Sequence, residues 1–378
     1  MANYDVIVLG VGGMGSAALW HLAWRGHRVL GLEQFGLGHD RGSSHGATRI
    51  IRKAYFEHPD YVPLLHRAYG LWAKLEAASG HCLIFKTGLL LFGPPTGPVI
   101  AGVKRSAELH RLDIDEISPG EARKRFPGLA PADDMTALFE KDAGYLAVEK
   151  CVRAQIEQAI GHGAEILPNQ AVRTWSADAG GVTVRTDRDT YRAGSLVICA
   201  GAWSGDVLRD LGLPLEVRRK AVFWFEADRN TYHVDAGFPT FCFDTADGFF
   251  YGFPVIGNEG MKVSQHSGGR VVDRADALDR SVHDDDLRPV VRFIQAHLPG
   301  VTTRVVKHSM CMYTMTRDEH FIIDRHPDHA NVVITAGFSG HGFKFAPVVG
   351  AVAADLVEQG TTEEPIGFLS ARRPAVGR

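Results

Sequence analysis

Near its start the chain carries an unbroken apolar run, Val6, Ile7, Val8 and Leu9. Such a run predicts a strand buried on both faces of a parallel sheet. Glycines come at once after it, then a stretch that predicts a helix over residues 13–24, ended by Arg25 and Gly26. Residues 27–32 predict a second strand, closed by Glu33. Further on, Leu64, Leu65, Ala68, Leu71 and Trp72 recur at helical spacing and predict a helix over 61–78. A helix from about residue 148 (CVRAQIEQAIGHG) leads into a strand, AEILPNQAV. VTVRTDRDTYRA alternates side chains and predicts a hairpin, followed by a buried strand in SLVICAGAW. Residues 223–301 read as aromatic-rich strands plus one helix, HDDDLRPVVRFIQAHLPG. There, Asp284, Asp285 and Asp286 are expected to be solvated acids at a helix start, where the dipole favours them, and not a metal site. The last run, NVVITAGFSGHGFKFAPVVGAVAADLVEQG, predicts strand, glycine loop and helix.

Composition narrows the class. The 378 residues suffice for about two to three domains of the usual ~150 residues. Hydrophobic content of 45% and charged content of 22% are those of a soluble globular protein. A formal net charge of −3 gives no field for nucleic acid or an anionic membrane, so neither is expected as a partner. Five cysteines, an odd number with no CxxC pair, exclude a disulfide framework and fit a reducing, cytoplasmic setting. The start, MANYD, lacks a basic region and its apolar run is short, so neither a signal peptide nor a membrane span is expected. The end, RPAVGR, carries no peroxisomal address.

The strongest chemical signal is GVGGMG, in which Gly10, Gly12 and Gly15 form GxGxxG around Met14. The first glycine permits a tight turn, the second lets backbone approach a pyrophosphate, and the third lets helix pack on strand. The helix behind them aims its N-terminal N–H groups at the phosphates. Glu33, 18 residues after Gly15, suits a ribose 2′-hydroxyl and would repel a 2′-phosphate. Strand, glycine turn, helix, second strand and acid in register make a dinucleotide fingerprint. The next segment, GLGHDRGSSHGATRIIRKAYFEH, is rich in Gly, His and Arg and does not continue a regular βα repeat.

GVGGMG (10–15), GSSHGATRIIRKAY (42–55), KTGLLLFG (86–93), VICAGAWS (197–204), YGFP (251–254), CMYTMTRDEHFIIDRHP (311–327) and AGFSGHGFKFAP (336–347) run in order over nearly the whole chain. Together they resemble the monomeric sarcosine oxidase and N-methyltryptophan oxidase family, amine-oxidising flavoproteins with the D-amino-acid-oxidase-like fold. The resemblance implies an α/β protein: a Rossmann-like FAD-binding domain with an inserted α+β substrate domain on a mixed or antiparallel sheet. It divides the chain into FAD-binding segments 1–85, 145–220 and 305–378 and substrate segments 86–144 and 221–304. It implies oxidation of a secondary amine, foremost an N-methyl amino acid, at the C–N bond, with O2 reduced to hydrogen peroxide. It favours a monomer.

The resemblance also implies site residues, position by position. Cys311 stands where the family bonds sulfur to the flavin 8α-methyl carbon, so FAD is expected to be covalent there. The chemistry suits a thiolate near positive charge. Cys82, Cys151, Cys199 and Cys242 are expected to be ordinary cysteines. Arg52 and Lys344 match the carboxylate-binding cations, and Arg49 an arginine close to the flavin ring. Arg49 precedes Arg52 by three, which on a helical turn puts both on one side. Lys262 matches the lysine that activates oxygen, with His266 close by, and Tyr251, Tyr313 and His341 match pocket residues. Ser43, His45 and Thr48 are flavin-loop contacts, Val172 an adenine contact, and Gly340, Gly342 and Phe343 line the flavin's pyrimidine edge.

Departures and rivals bound this reading. The family loop GSHHGDTR reads GSSHGATR here, so Ser44 replaces a histidine and Ala47 an aspartate; Ser264 and Gln265 also depart from the family. FPTFCFDTADGFFYGFP could favour an apolar N-substituted amino acid over small sarcosine, although aromatic strands are more often core. Rivals are an FAD enzyme of another amino or imino acid (a D-amino acid, proline or pipecolate, a fructosyl amino acid), one using a dye or quinone as acceptor, and a non-catalytic flavin binder. A metal hydrolase built on His320, His326 and His329 lacks a recognised ligand spacing.

Overall fold

The computed structural model describes residues 3–375. Two large sheets and a small one organise them. The first sheet has eight strands. Asn3–Leu9 lies parallel between Val29–Leu32 and Thr190–Ile198, with Glu165–Leu167 beyond Val29–Leu32. Val332–Ala336 pairs parallel with the end of Thr190–Ile198, and Ile322–Arg325 pairs antiparallel with Val332–Ala336. The hairpin Val172–Asp178 and Gly181–Thr186 closes the other part of that edge. Val6, Ile7, Val8, Leu30 and Ile198 are each at most 1% exposed, which explains their unbroken apolar runs. Parallel strands share a direction, so Gly10, Glu33, Cys199 and Gly337 all emerge at one edge, where open α/β sheets bind ligands.

The helices predicted at 13–24 and 61–78 are Gly13–Trp24 and Tyr61–Ser79. With Val148–Gly161 and Ala346–Gln359 they build the main core over this sheet, around Trp20, Tyr61, Trp72 and Phe345. The second strand is shorter than the expected 27–32, being Val29–Leu32.

The second sheet has nine strands, from Arg270–Val272 across to Asp115–Ile117. Val301–Met315 pairs along Glu216–Ala227 and sets Cys311 opposite Lys220, so the cysteine stands on this sheet. The aromatic stretch packs its core: Phe241, Phe243 and Phe250 are fully buried, and Phe250 stacks on Phe293 with centroids 4.5 Å apart. Phe293 belongs to the helix Asp284–His297. The expectation of three solvated acids there is corrected at Asp286. Its carboxylate accepts from the His283 N–H at 2.9 Å and from Arg219 at 2.5 Å, as a cap and an ion pair together. Asp284 and Asp285 are exposed. A three-stranded sheet, Thr48–Ile51, Gly144–Ala147 and Ile84–Phe85, carries Arg49. Among the described residues no helix is long and apolar enough to cross a membrane.

Candidate active site

A cavity of about 650 Å³ begins at the carboxyl ends of the parallel strands and runs to the nine-stranded sheet. Its first end is lined by Glu33 and Val172. The Glu33 carboxylate accepts from the N–H groups of Val11 at 2.8 Å and Phe35 at 3.0 Å. Gly10, Gly12 and Met14 line the next stretch, where the helix Gly13–Trp24 begins. Gly15 lies behind it: a Cβ there would stand 1.8 Å from the Gly10 carbonyl oxygen, so only glycine lets this helix start against the strand. Ser44 joins the loop to the helix, its Oγ accepting from the Gly13 N–H at 3.1 Å.

The loop before Thr48 is tied down from several sides. Ser43, also on the cavity, donates to the Met312 carbonyl at 2.6 Å. Ala47 takes a left-handed φ of 67°. The Glu149 carboxylate accepts from the N–H groups of Gly46 at 2.7 Å and Ala47 at 3.1 Å. Lys262 reaches the same loop and donates to the carbonyls of Gly46 at 2.6 Å and Thr48 at 2.9 Å, and to the Thr48 hydroxyl at 3.1 Å. Burial and Arg49 push this lysine's pKa well down. Two of its partners are carbonyls, which only accept, while the Thr48 hydroxyl can accept from or donate to the nitrogen. Lys262 and Thr48 stand behind the cavity wall rather than on it.

Cys311 stands beside them, 2% exposed. Nη2 of Arg49 is 3.5 Å from its sulfur. Burial pushes the thiol up, but a hydrogen bond from His45 and the charges of Arg49, His45 and Lys262 outweigh it and bring the pKa to about 6. His45 is held by Gly42 and Ser309. By contrast, burial pushes Cys199 and Cys242 up to about 12.

The far end of the cavity gathers the remaining side chains. Arg49 lies in a strand and Arg52 just past its end, so the helical-turn expectation for this pair is wrong: pairing of Thr48–Ile51 with Gly144–Ala147 imposes extended backbone. Both nonetheless line the cavity. Arg52 donates to both oxygens of Glu57, at 2.8 and 2.7 Å, and lies over the rings of Tyr55 and Phe56. Lys344 donates to the His341 carbonyl at 2.7 Å, and burial with Arg52 pulls its pKa to about 7. His341 Nε2 is 2.9 Å from the Glu319 carbonyl, which can only accept, so Nδ1 accepts from the Tyr55 hydroxyl at 2.6 Å. This neutral tautomer agrees with burial lowering its pKa to about 4. His266 Nδ1 is 3.2 Å from the Tyr313 hydroxyl, and Tyr251, Gly340, Gly342 and Phe343 complete the wall.

The model of the FAD dependent oxidoreductase family matches residues 5–356. The chain belongs to this family. It is 43% identical to the monomeric sarcosine oxidase of Streptomyces avermitilis, covering 99% of this chain and 98% of the relative. It is 36% identical to N-methyl-L-tryptophan oxidase of Escherichia coli over 94% of this chain and 95% of the relative. Among solved structures, the amino acid oxidase NikD superposes with a TM-score of 0.87 at 26% identity, covering 98% of each chain.

This family member is therefore an FAD-dependent oxidoreductase, and its cavity fits the cofactor. A glycine-lined helix start suits a pyrophosphate. The Glu33 carboxylate stands one strand away on the same edge, and Arg49, Arg52 and Lys344 also line the cavity. Histidines outside the cavity are separate: His320 sits against Tyr61 and His326 against Asp210. Sequence reasoning passed over Tyr55, Glu57, Glu149 and Lys220. Glu57 lies five residues beyond Arg52, a spacing with no regular meaning, and Glu149 reaches the loop from a distant helix.

Proposed function

We propose that the protein is an oxidase of secondary amino acids, N-methyl amino acids foremost, with its FAD tethered through sulfur to Cys311. The observation that carries this reading is that Cys311, just behind the cavity wall, lies against Arg49, which lines the cavity together with Arg52 and Lys344. A buried thiol with a pKa near 6 is largely thiolate at neutral pH, as attachment requires. When bound, FAD takes a hydride equivalent from the substrate's C–N unit and returns two electrons to O2 as hydrogen peroxide.

The protein's part is binding and electrostatics. Gly10, Gly12, Met14 and Gly15 would seat the pyrophosphate, Glu33 the ribose and Val172 the adenine. Ser43, with Gly340, Gly342 and Phe343, would hold the ring system, and His45 and Thr48, expected as direct contacts, would back it from behind the wall. Arg52 and Lys344 would take the substrate carboxylate, which competes with Glu57 for the guanidinium. Tyr251, Tyr313, His266 and His341 would wall the amine, the imidazoles uncharged so that they do not repel it. Lys262 and Arg49 place fixed positive charge where negative charge develops during electron transfer. The division into FAD segments 1–85, 145–220 and 305–378 and substrate segments 86–144 and 221–304 goes with this reading, as does a cytoplasmic monomer.

The test is peroxide release from air-equilibrated holoenzyme given sarcosine, N-methyl-L-tryptophan, L-proline, pipecolate or a D-amino acid. Turnover with N-methyl amino acids supports the reading. Turnover confined to the D-amino acid, or electron transfer to dyes without peroxide, contradicts it; turnover confined to L-proline or pipecolate keeps a secondary-amine oxidase and removes the preference for N-methyl amino acids.

A further inference from the structure

One buried charge near the cavity has no part in the chemistry above. Lys220 is 4% exposed, and its Nζ donates to three successive carbonyls, of His266 at 2.5 Å, Ser267 at 2.8 Å and Gly268 at 2.6 Å. The chain can aim three neighbouring carbonyls at one point because Gly268 and Gly269 take φ of 65° and 102°. A Cβ on Gly269 would stand 2.7 Å from the Arg219 carbonyl oxygen and 3.3 Å from Cδ and Cε of Lys220. The glycine pair is thus shaped around the lysine stem.

The first of these carbonyls belongs to a residue whose ring forms part of the cavity wall. His266 meets the Tyr313 hydroxyl through Nδ1, and Nζ of Lys220 lies 5.1 Å from the centre of the Tyr313 ring. Lys220 also stands in register with Cys311 on the neighbouring strand. One ammonium therefore touches the backbone of one wall residue and the ring of the other.

We propose that Lys220 is a positioning residue of the active site: its ammonium gathers the 266–268 carbonyls and so fixes the His266 imidazole, uncharged, against Tyr313 on the substrate wall. The proposal rests on the reading of this cavity as the amine-oxidising site. Burial lowers the His266 pKa to about 3, with Lys220 the largest charge acting in the same direction, ahead of His341 and Lys344 and against Glu57. Lys220 itself is pulled to about 7 by burial and Arg218, against the pull of Cys311 and Glu319. A neutral amine would leave one carbonyl without a donor.

The test is Lys220→Met in the holoenzyme, with sarcosine and N-methyl-L-tryptophan as probes. The expected result is retained flavin, a KM raised about tenfold and a kcat changed far less, the pattern of lost substrate positioning. Imidazole 15N resonances, assigned to His266 by their loss in His266→Ala, should titrate at markedly higher pH in Lys220→Met than in the wild type. In the His266→Ala background the same lysine change should have little further effect on KM, because the two act as one unit. Lys220→Arg restores charge but cannot bring one nitrogen to three converging carbonyls, so it should rescue the titration and not the KM. An unchanged KM and titration in Lys220→Met, or an equal effect with and without His266, overturns the proposal. If Lys220→Met does not fold, Lys220→Arg is measured alone; misfolding of both makes Lys220 a stability residue and overturns it too. A wild type that oxidises neither probe counts against the oxidase reading, and the titration then judges Lys220 by itself.

Discussion

Nη2 of Arg49 stands 3.5 Å from the sulfur of Cys311. The two residues are 262 positions apart in the chain and come from different sheets. Without such a neighbour a buried thiol would be less acidic than a free one. With His45, Arg49 and Lys262 around it, Cys311 is pulled to about 6.

This pairing predicts the pH dependence of flavin attachment. The thiolate is the reactive form, so attachment to apoprotein should be near its plateau at neutral pH and fall as pH drops through about 6. Arg49→Met removes one of the cations. If it raises the thiol by about two units, attachment at pH 7 slows roughly tenfold and recovers towards pH 9. The measurement is flavin retained by acid-precipitated protein after reconstitution at a series of pH values. Identical profiles for the two proteins contradict the assignment.

The Arg52–Glu57 pair predicts a stability effect. Burial would raise the Glu57 pKa, but Arg52, then His341 and Lys344, outweigh it and bring it from 4.5 to about 2. A depressed carboxylate stabilises the fold above its unfolded pKa and loses that contribution as pH falls through the folded value. The shift corresponds to about 3 kcal/mol. Glu57→Gln should therefore lose stability of that order at neutral pH in urea unfolding, and its deficit should shrink towards pH 2. A deficit independent of pH contradicts the ion-pair account.

Lys262 predicts a separation of two half-reactions. Lys262→Met should slow reoxidation of the reduced enzyme by O2 by about two orders of magnitude, the size of a lost fixed charge at a developing anion. Substrate KM should change far less, because the ammonium stands behind the wall. Stopped-flow mixing of reduced enzyme with oxygenated buffer measures the first quantity. Intact oxygen reactivity removes the proposed role.

Ala47 predicts a gain. A non-glycine residue in the left-handed region costs roughly 1–2 kcal/mol, part of which an aspartate recovers through its short polar side chain. Ala47→Gly relieves the strain and gives back part in chain entropy, for a net gain of up to about 1 kcal/mol. Thermal unfolding of the two holoproteins checks it. A lower midpoint for Ala47→Gly contradicts the strain.

Local signals were legible where local physics decides. The helix Gly13–Trp24 arises from its glycines and apolar run, and begins and ends at the expected residues. Family-specific motifs singled out Cys311, Arg52 and Lys344 one by one as candidates. What could not be read is how distant segments meet. Arg49 and Arg52 looked like a helical pair because nothing local reveals that Gly144–Ala147 pairs with their segment. Asp286 looked solvated because Arg219 comes from a strand 67 residues earlier. Glu57, Glu149 and Lys220 escaped for the same reason, each being an ordinary charge until topology buries it. The aromatic stretch was ambiguous by composition. Phe238, Phe241, Phe243 and Phe250 are core, while Phe249, Tyr251 and Phe253 face the cavity.

The most direct test of the central claim, an FAD oxidoreductase that carries its cofactor on Cys311, is to precipitate the yellow holoprotein with acid and see where the colour goes. The account predicts colour in the pellet for the wild type and in the supernatant for Cys311→Ala. Colour in the supernatant for the wild type, or in the pellet for Cys311→Ala, contradicts it.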